Sequence, residues 1–337
     1  MKILIIGCGS IGRRHMANLR RIGGHELIAY RTRRENSEKL ETEYGVRIFY
    51  SFEEALAQGP EAAIIANPTS LHVPAARHAL KAGCHLFIEK PLSHTLEGVD
   101  DLLQRAEAAK RVVFIGYQLR FNPLLMQAKA QIEEGLLGRI LFMRASVGQY
   151  LPDWHPWEDY RQGYYGRKEL GGGPLLTLSH ELDEVLWFLG KPMQVRCRLD
   201  KVSDLEIDTE DTAELILEFP SKTVASVHMD YLQPTITQTC QIIGKEGFMD
   251  LDLQAGIART FLTKTGRWQE NRLPAGFTRD DLFSAELTHF LDCIHNGVPC
   301  RMDGRQVGRL ALEVISAAQE SARTGKVISL HETVHAG

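Results

Sequence analysis

Short apolar runs alternate with amphipathic stretches along residues 1–119 of the chain. The apolar runs are KILII, ELIAY, AAIIA, HLFIE and VVFIG, and the stretches between them include GRRHMANLRRI, HVPAARHALKA and LEGVDDLLQRAEAA. Continuous apolar runs predict strands that are buried on both faces of a parallel sheet, and the amphipathic stretches predict the helices that cover it. We therefore expect an α/β domain over residues 1–119, with a doubly wound parallel sheet.

The pattern changes after residue 138, where apolar strands follow one another without helices between them. These strands are RILFMRASVGQ, MQVRCRL, AELILEF, TVASVHMDYL, TCQIIG and GFMDLDL, preceded by a helix at NPLLMQAKAQIEEGLLG. Such a run of neighbouring strands predicts that residues 120–337 form an α+β domain with an open, largely antiparallel sheet. Two late helices are expected near 281–296 and 304–323, the second packing back toward the first domain.

Composition narrows the class of protein. The chain has 337 residues and a net charge of −4, and its only short basic block is RTRR, so nucleic acid is not an expected partner. Its six cysteines are scattered without a C-x-x-C pair, which argues against a structural metal or a disulfide framework. The opening MKILIIGCGS lacks the features of a signal peptide, and no long apolar run follows. We expect a cytoplasmic protein that does not enter a membrane.

The sequence GCGSIG places three glycines directly after the first predicted strand and at the start of a helix. Gly7 suits a tight turn, Gly9 lets the backbone approach a pyrophosphate, and Gly12 lets the helix pack closely on the strand. The pyrophosphate would cap the helix N-terminus, where Ser10 and Ile11 follow Gly9. We therefore predict a dinucleotide site at these five residues, and the alternative is a glycine-rich turn without a ligand.

The second predicted strand ends in the basic sequence AYRTRR. A site of the NAD type carries an acid near this position, where it holds the ribose hydroxyls. Arg31, Thr32 and Arg33 stand there instead, and arginine can bind a 2′-phosphate in bidentate fashion. We expect NADP(H) to be the favoured cofactor and NAD(H) to be the other candidate. A solvated basic turn beside an NAD site would give the same sequence.

Polar side chains also follow two later strands of the parallel sheet. Ligands of open parallel sheets bind beyond the carboxyl ends of the strands, where HLFIEKPL and ANPTSLH place polar groups. Lys90 is the candidate for chemistry there, and a solvated strand-end lysine is the alternative. The other residues predicted to line the cofactor are Asn67, Pro68, Thr69, His72 and Glu89.

Five sequences in order resemble the Gfo/Idh/MocA family, the relatives of glucose–fructose oxidoreductase and inositol dehydrogenase. They are GCGSIGRRH, ANPTSLH, AGCHLFIEKPL, LGGGPLLTLSHELDEVLWFLG and GRLALEVISAAQESARTGK, so that the similarity spans essentially the whole chain. The resemblance implies a Rossmann domain followed by a domain with an open antiparallel sheet. It also implies NAD(P)-dependent oxidation or reduction at a carbinol carbon of a sugar, a sugar derivative or inositol. We further expect a homodimer or homotetramer formed through the open sheet.

The same resemblance assigns the catalytic groups. Lys90 matches the family's catalytic lysine, and His180 matches a histidine that lies over the nicotinamide and exchanges the substrate's proton. Many relatives carry an aspartate three residues before this histidine, where this chain has Thr177, which cannot act as a base. Asp183, one turn further along, is expected to orient His180. A structural histidine is one alternative, and a metal site that includes Glu184 lacks a third ligand nearby.

Residues 150–173 form a long irregular segment rich in aromatic side chains. Loops of this length are usually functional or disordered, and the aromatics argue against disorder. We expect it to wall the substrate site, with flat rings for the C–H face of a sugar and an arginine for a carboxylate or phosphate. The alternative is an oligomer contact or packing of a lid. Residues predicted to contact substrate besides Lys90, Thr177 and His180 are Arg120, Trp154, Trp157, Tyr160, Arg161 and Tyr164.

Two functions of different classes fit these residues. The first is an enzyme in which His180 is the general acid/base and Lys90 binds or relays at the same hydroxyl. The second is a sensor that binds a dinucleotide without turnover, as one transcriptional co-repressor of this fold family does. The presence of both Lys90 and His180 favours the enzyme, whereas Thr177 weakly favours the sensor.

Overall fold

A computed structural model describes residues 1–156 and 158–330. The chain forms two compact units: Met1–Gln118 with Thr278–Leu312, and Leu119–Phe277 with the described residues from Glu313 onward. In the part of the chain that the structure describes, no helix combines the length and the apolar character needed to cross a membrane. The second unit begins at Leu119, and residues 278–312 belong to the first unit.

The first unit is built on a parallel sheet, as the continuous apolar runs predict. Its six described strands are ordered β3-β2-β1-β4-β5-β6. The central strand β1 pairs in parallel with β2 on one side and β4 on the other, and Ile3, Leu4 and Ile5 on it are fully buried. The strands are β1 (Lys2–Ile6), β2 (Glu26–Tyr30), β3 (Arg47–Phe49), β4 (Ala62–Ile65), β5 (His85–Glu89) and β6 (Val113–Gly116).

Helices connect these strands, and their buried residues recur at helical spacing. On the first helix, for example, His15, Met16 and Leu19 are buried. Because parallel strands need crossover connections, each helix begins near the carboxyl end of the strand before it. The helices are α1 (Ser10–Ile22), α2 (Ser37–Tyr44), α3 (Phe52–Leu56), α4 (His72–Lys81) and α5 (Val99–Ala108).

The second unit contains a nine-stranded sheet among its described residues, in the order β14-β13-β12-β11-β7-β10-β9-β8-β15. All neighbours are antiparallel except β7 and β10, so the expectation of a largely antiparallel sheet is confirmed. The strands are β7 (Ile140–Gly148), β8 (Gln194–Asp200), β9 (Thr212–Glu218), β10 (Val224–Asp230), β11 (Thr237–Gly244), β12 (Gly247–Asp252), β13 (Ile257–Leu262), β14 (Arg267–Arg272) and β15 (Ile328–Ser329).

One face of this sheet is buried and the other is open. On β9 the burial alternates, so that Ala213, Leu215 and Leu217 are enclosed while Ile216 is exposed. The helices of the unit are α6 (Pro123–Glu133), α7 (Pro174–Thr177) and α8 (His180–Leu189). Leucines recur at helical spacing from Leu175 to Leu189 and predict one helix that begins at Pro174, but the helix breaks at Leu178 and Ser179, whose backbone angles depart from the helical values.

The late helices are α9 (Arg279–His295) and α10 (Leu310–Thr324), the latter preceded by a π-helical turn at Gly304–Arg309. Aromatic packing explains why residues 278–312 belong to the first unit. The ring of Phe290 on α9 lies 5.6 Å from the rings of both Phe87 and Phe114 on the parallel sheet. Next to β6, the Ile115 N–H donates to the Met302 carbonyl oxygen (2.9 Å). The pattern of apolar residues reports only local structure, so it cannot predict that a late segment packs against the first unit.

Candidate active site

The glycine turn between β1 and α1 has the geometry of a dinucleotide-binding loop. Gly7 has φ +99°, and a Cβ there would lie 2.6 Å from the Ala66 carbonyl oxygen. A Cβ on Gly12 would lie 2.0 Å from the Gly7 carbonyl oxygen, so both positions require glycine. By contrast, a Cβ on Gly9 would meet no described atom within 4 Å. Gly9 therefore leaves open the approach to the N-terminus of α1, where main-chain N–H groups favour an anion.

The basic turn after β2 lies beside this loop. The Gly7 N–H donates to the carbonyl oxygen of Tyr30, the residue before Arg31 (3.0 Å). Nη1 of Arg31 is buried, and among the described residues it has no hydrogen-bond partner. Thr32 and Arg33 are exposed, and the Arg34 guanidinium lies over the ring of Tyr50 at 4.4 Å. Arg31 thus directly follows the residue that binds the glycine loop, and it is less exposed than Thr32 and Arg33.

At the ends of β4 and β5, His72 joins the two predicted stretches. Its Nδ1 lies 2.9 Å from the Pro91 carbonyl oxygen and its Nε2 lies 3.0 Å from the Asn67 carbonyl oxygen. Burial, which outweighs these two bonds, lowers the pKa of His72. The ring is enclosed, as is the side chain of Thr69. His72 therefore braces the two strand ends, and direct contact of its ring with a cofactor stays a prediction.

Lys90 is the half-buried residue that follows β5, and its peptide bond to Pro91 is cis. The preceding Glu89 does not face outward. One of its carboxylate oxygens is 2.6 Å from Nε2 of His15 on α1, and the other accepts the Lys90 main-chain N–H at 3.2 Å. The structure thus assigns Glu89 to an internal contact beneath Lys90, and a cofactor contact of Glu89 stays untested.

In the second unit, His180 is the first residue of α8 and is half-buried. Thr177, at the end of α7, is enclosed in the fold. Its hydroxyl donates to the Gly173 carbonyl oxygen (2.9 Å) and also contacts the hydroxyl of Tyr231. The Tyr231 hydroxyl in turn lies 3.2 Å from the Tyr165 carbonyl oxygen. Thr177 therefore ties the α7–α8 region to β10 and to the aromatic segment.

Arg120 and Asp183 form a buried ion pair. Nε and Nη2 of Arg120 donate to the two carboxylate oxygens of Asp183 at 2.8 and 2.7 Å. Burial raises the pKa of Asp183, and the paired guanidinium opposes that rise. We expected Asp183 to orient His180, but both of its oxygens bind Arg120. The same pairing occupies two nitrogen atoms of Arg120, whose predicted contact with substrate stays a prediction.

The aromatic segment packs partly on itself. Trp154 and Tyr160 lie against a buried cluster formed by Leu151, Leu205, Ile207 and Tyr231, which supports the alternative of lid packing for these two rings. Tyr164 also packs within the segment, with its ring centre 4.2 Å from that of Tyr165 and the two rings tilted by 40°. Trp157 lies outside the described residues. The predicted sugar contacts of these rings stay untested.

Arg161 has two acidic partners. Its guanidinium donates to both oxygens of Asp159 and to Glu206 at 2.9 Å, and these carboxylates raise its pKa. Its side chain is 52% exposed. An anionic substrate would therefore have to compete with two carboxylates for this guanidinium. Arg161 is thus less available to bind an anion than the sequence suggests.

Sequence reasoning did not predict the burial of two acids at the start of α8, one of which it named only as a ligand in the alternative metal site. Glu181 and Glu184, on either side of Asp183, are buried. Glu181 accepts from the Gln238 side chain (2.7 Å), and burial raises the pKa of Glu184 to about 8. Acidic residues at the start of a helix usually predict a solvated first turn. Only the tertiary structure, in which Glu181 contacts Gln238 on β11, reveals that these acids are buried. Tyr231 was likewise read only as part of a strand.

Two family models match the chain. The model described as an oxidoreductase family with an NAD-binding Rossmann fold, GFO_IDH_MocA, matches residues 1–117. The GFO/IDH/MocA C-terminal domain model matches residues 125–250. Together they cover the glycine loop, Lys90 and His180, as well as most of the nine-stranded sheet.

Individual relatives are similar over the full length. The chain is 25% identical over 351 residues to myo-inositol 2-dehydrogenase of Thermotoga maritima, covering 99% of this chain and 100% of the relative. It is 25% identical over 331 residues to D-xylose 1-dehydrogenase (NADP(+)) 2 of Haloferax volcanii, covering 97% and 98%. The structure of levoglucosan dehydrogenase with NADH and levoglucosan has a TM-score of 0.88 at 20% identity, covering 98% of this chain and 99% of that one. At that identity the likeness shows the fold alone.

Proposed function

Because the chain belongs to the GFO/IDH/MocA oxidoreductase family, we propose that it transfers a hydride between a nicotinamide dinucleotide and a carbinol carbon of a sugar, a sugar derivative or inositol. The observation that carries the proposal is the glycine loop, in which Gly7 and Gly12 have no room for a side chain while Gly9 faces open space. Relatives named as inositol and xylose dehydrogenases support the substrate class.

The roles of the two catalytic residues follow from the chemistry of a carbinol. Oxidation removes a hydride from carbon and a proton from the hydroxyl oxygen, and the bound dinucleotide supplies the hydride acceptor. His180 accepts the hydroxyl proton as general base and returns it in the reverse direction. Lys90 donates a hydrogen bond to the same oxygen, which stabilises the negative charge that develops there. With His180 as the base and Lys90 as the hydrogen-bond donor, the reaction does not require a base at position 177.

NADP(H) is the cofactor favoured by this proposal, and NAD(H) is the other candidate. A buried guanidinium nitrogen without a partner among the described residues is costly, and a phosphate oxygen would satisfy Nη1 of Arg31. Thr32 and Arg33 would contribute a hydroxyl and a second charge. The two kinds of cofactor both occur among similar proteins, since one relative is named for NADP(+) and one neighbour was solved with NADH.

The open sheet supports a homodimer or homotetramer. Five side chains stand opposite one another in register across β7, β11, β12, β13 and β14: Phe142, Ile243, Phe248, Phe261 and Trp268. Ile243 is 42% and Trp268 is 56% exposed. A contiguous apolar row of this kind usually marks an interface. Sedimentation analysis tests this, and a wild-type monomer at micromolar concentration would count against it.

The six cysteines, all in the described part of the chain, are free thiols. Free and largely buried thiols are typical of a reducing compartment, so we propose that the protein works in the cytoplasm. The partner that the proposed activity implies is a small carbohydrate.

A substrate panel tests the proposed activity. The protein is loaded with NADP+ or with NAD+ and mixed with inositols, pentoses, hexoses and uronic acids, while the near-ultraviolet absorbance of the reduced nicotinamide is followed. We expect at least one class to reduce the cofactor, and we expect the Lys90→Met protein to bind the cofactor without doing so. Tight dinucleotide binding with no turnover in either direction across the panel would favour the sensor.

A further inference from the structure

Three titratable side chains meet inside the first unit, beneath Lys90. His15 comes from α1, Glu89 from the end of β5 and Glu286 from α9, and one ligand atom from each lies within 4.8 Å of the other two. His15 and Glu286 are both 0% exposed. The His15 ring is edge-on to Phe87 at 5.0 Å and to Phe283 at 5.9 Å, so the surroundings are apolar. Nothing in the dinucleotide chemistry calls for Glu286.

The two carboxyl groups of this cluster have unequal hydrogen bonding. Glu89 faces two N–H donors, Nε2 of His15 at 2.6 Å and the main chain of Lys90 at 3.2 Å. Both oxygens of Glu286 are buried, and neither has a hydrogen-bond partner among the described residues. A buried carboxylate without a donor is very unfavourable, whereas a protonated carboxyl is tolerated. Burial and the charge of Glu89 both raise the pKa of Glu286.

A cation would be the other way to hold two buried carboxylates together. Zinc, for example, binds a histidine nitrogen and a carboxylate oxygen at about 2.0–2.2 Å, which keeps two neighbouring ligand atoms about 3 Å or more apart. The His15–Glu89 separation of 2.6 Å is that of a hydrogen bond. Two flanking cations, Arg14 and Arg279, lie over the ring of Phe283 at 4.9 and 5.8 Å. The geometry therefore favours a proton over a metal ion.

We propose that His15, Glu89 and Glu286 form a buried proton-holding site in which Glu286 is a neutral carboxylic acid at neutral pH and Glu89 is the ionised member. Two carboxyl groups this close in an apolar enclosure cannot both ionise, so they retain one proton between them. Glu286 keeps this proton because the two N–H donors, from His15 and from the main chain of Lys90, both face Glu89. The neutral Glu286 spares Glu89 a repulsive neighbour, and Glu89 then fixes the main chain of Lys90. Glu286 is thus a positioning residue that acts through Glu89.

Infrared spectroscopy tests the protonation state directly. The difference spectrum between wild type and Glu286→Gln at neutral pH should contain the C=O stretch of one protonated carboxylic acid, which lies apart from carboxylate bands. Glu184→Gln provides a comparison, since it removes a different buried carboxyl. If the Glu286 difference spectrum instead contains only carboxylate bands, or if purified protein holds a stoichiometric metal, the proposal is wrong.

Matched glutamine substitutions identify which carboxyl carries the proton. Glu286→Gln replaces a neutral acid by a neutral amide of the same shape that releases no proton on unfolding, so the unfolding midpoint at neutral pH should equal or exceed that of wild type. Glu89→Gln removes the ionised member and should lower the midpoint clearly. The wild-type unfolding constant should also rise with pH above the unfolded glutamate pKa, by up to about ten-fold per unit, and Glu286→Gln should lose that component. Equal effects of the two substitutions would contradict the assignment.

Kinetic measurements test whether Glu286 positions Lys90, and this part of the inference rests on the proposed function. Glu286→Leu removes the polar group and should lower kcat by about ten-fold or more while the KM for the dinucleotide changes little. Glu286→Gln should restore most of that loss. If Leu and Gln behave alike, the cluster does not position Lys90. If wild type turns over no substrate while the infrared result holds, the proposed function fails and the proton site stands.

Discussion

The sharpest prediction compares alanine at two glycines of the same loop. At Gly12 the new Cβ would lie 2.0 Å from the Gly7 carbonyl oxygen, so main chain must shift by about an ångström. Overpacking of this kind costs about 1–3 kcal/mol, and the upper end applies because neither group can rotate away. Alanine regains about 1 kcal/mol of helix propensity. We therefore expect Gly12→Ala to lose about 2 kcal/mol, or about 4–8 °C in Tm.

Gly9→Ala should behave in the opposite way. Its Cβ would meet no described atom within 4 Å, and its φ of −71° is ordinary for alanine. Gly9 is also the N-cap residue of α1, where glycine is favoured over alanine, so stability should fall by about 0.5–1 kcal/mol, less than at Gly12. The methyl group would block the approach of a pyrophosphate to α1, and losing one charge-assisted hydrogen bond costs about 1.5–3 kcal/mol, or about ten- to hundred-fold in Kd.

Thermal unfolding followed by circular dichroism measures the first quantity, and calorimetric titration with NADPH and NADH measures the second. Gly9→Ala should melt only slightly below wild type and bind weakly, whereas Gly12→Ala should melt clearly earlier. A Gly9→Ala protein that binds dinucleotide as tightly as wild type would refute the assignment of this loop. Equal destabilisation by both substitutions would refute the packing argument.

Three further predictions concern the cofactor, the α7–α8 region and pH. Arg31→Asp should raise the KM for NADP(H) more than that for NAD(H); a wild type that binds NAD(H) ten-fold tighter, by about 1.4 kcal/mol, would overturn the preference. Thr177→Ala should cost about 1–2 kcal/mol in unfolding, because it removes the buried hydrogen bond to the Gly173 carbonyl oxygen and one of the two contacts of the Tyr231 hydroxyl, and should lower turnover far less than Lys90→Met; a loss as large as that of Lys90→Met would contradict this. Burial raises the pKa of Glu184 to about 8, so the native state retains a proton that the unfolded state releases. Stability should therefore fall between about pH 4.5 and pH 8, by up to about 1.4 kcal/mol per unit, and Glu184→Gln should lose this slope; denaturant titrations at several pH values measure it.

Local patterns predicted most of the secondary structure and the two kinds of sheet. Each strand of the parallel sheet except Arg47–Phe49 stands out as an apolar run, and β9 shows a clear alternation. In the second sheet, sequence reasoning missed Ile257–Leu262, Arg267–Arg272 and Ile328–Ser329; the second of these is polar and largely exposed, and the other two have no clear alternation of apolar and polar residues. Their pairing with neighbours, rather than their composition, makes them strands.

Contacts between residues that are far apart in the sequence could not be predicted from local patterns. Arg120 pairs with Asp183 across 63 positions, and Glu89 meets His15 across 74. Glu286 lies on a helix whose other acids, Asp280, Asp281 and Asp292, are exposed or part-buried, so its complete burial has no signal in composition. Motif spacing predicted the glycine loop because its chemistry is local. The internal contacts of the candidate site required the tertiary structure.

The central claim is that Lys90 serves hydride transfer rather than lying at a strand end as a solvated cation. The most direct measurement is single-turnover reduction of bound dinucleotide by the substrate that the panel identifies, in wild type, Lys90→Met and His180→Ala, with dinucleotide affinity measured on the same samples. We predict unchanged affinity, a loss of about 10²–10⁴-fold in each single variant, and little further loss in the double variant, because both groups act on the same hydroxyl as one unit. A Lys90→Met protein that binds dinucleotide normally and transfers hydride at nearly the wild-type rate would contradict the account.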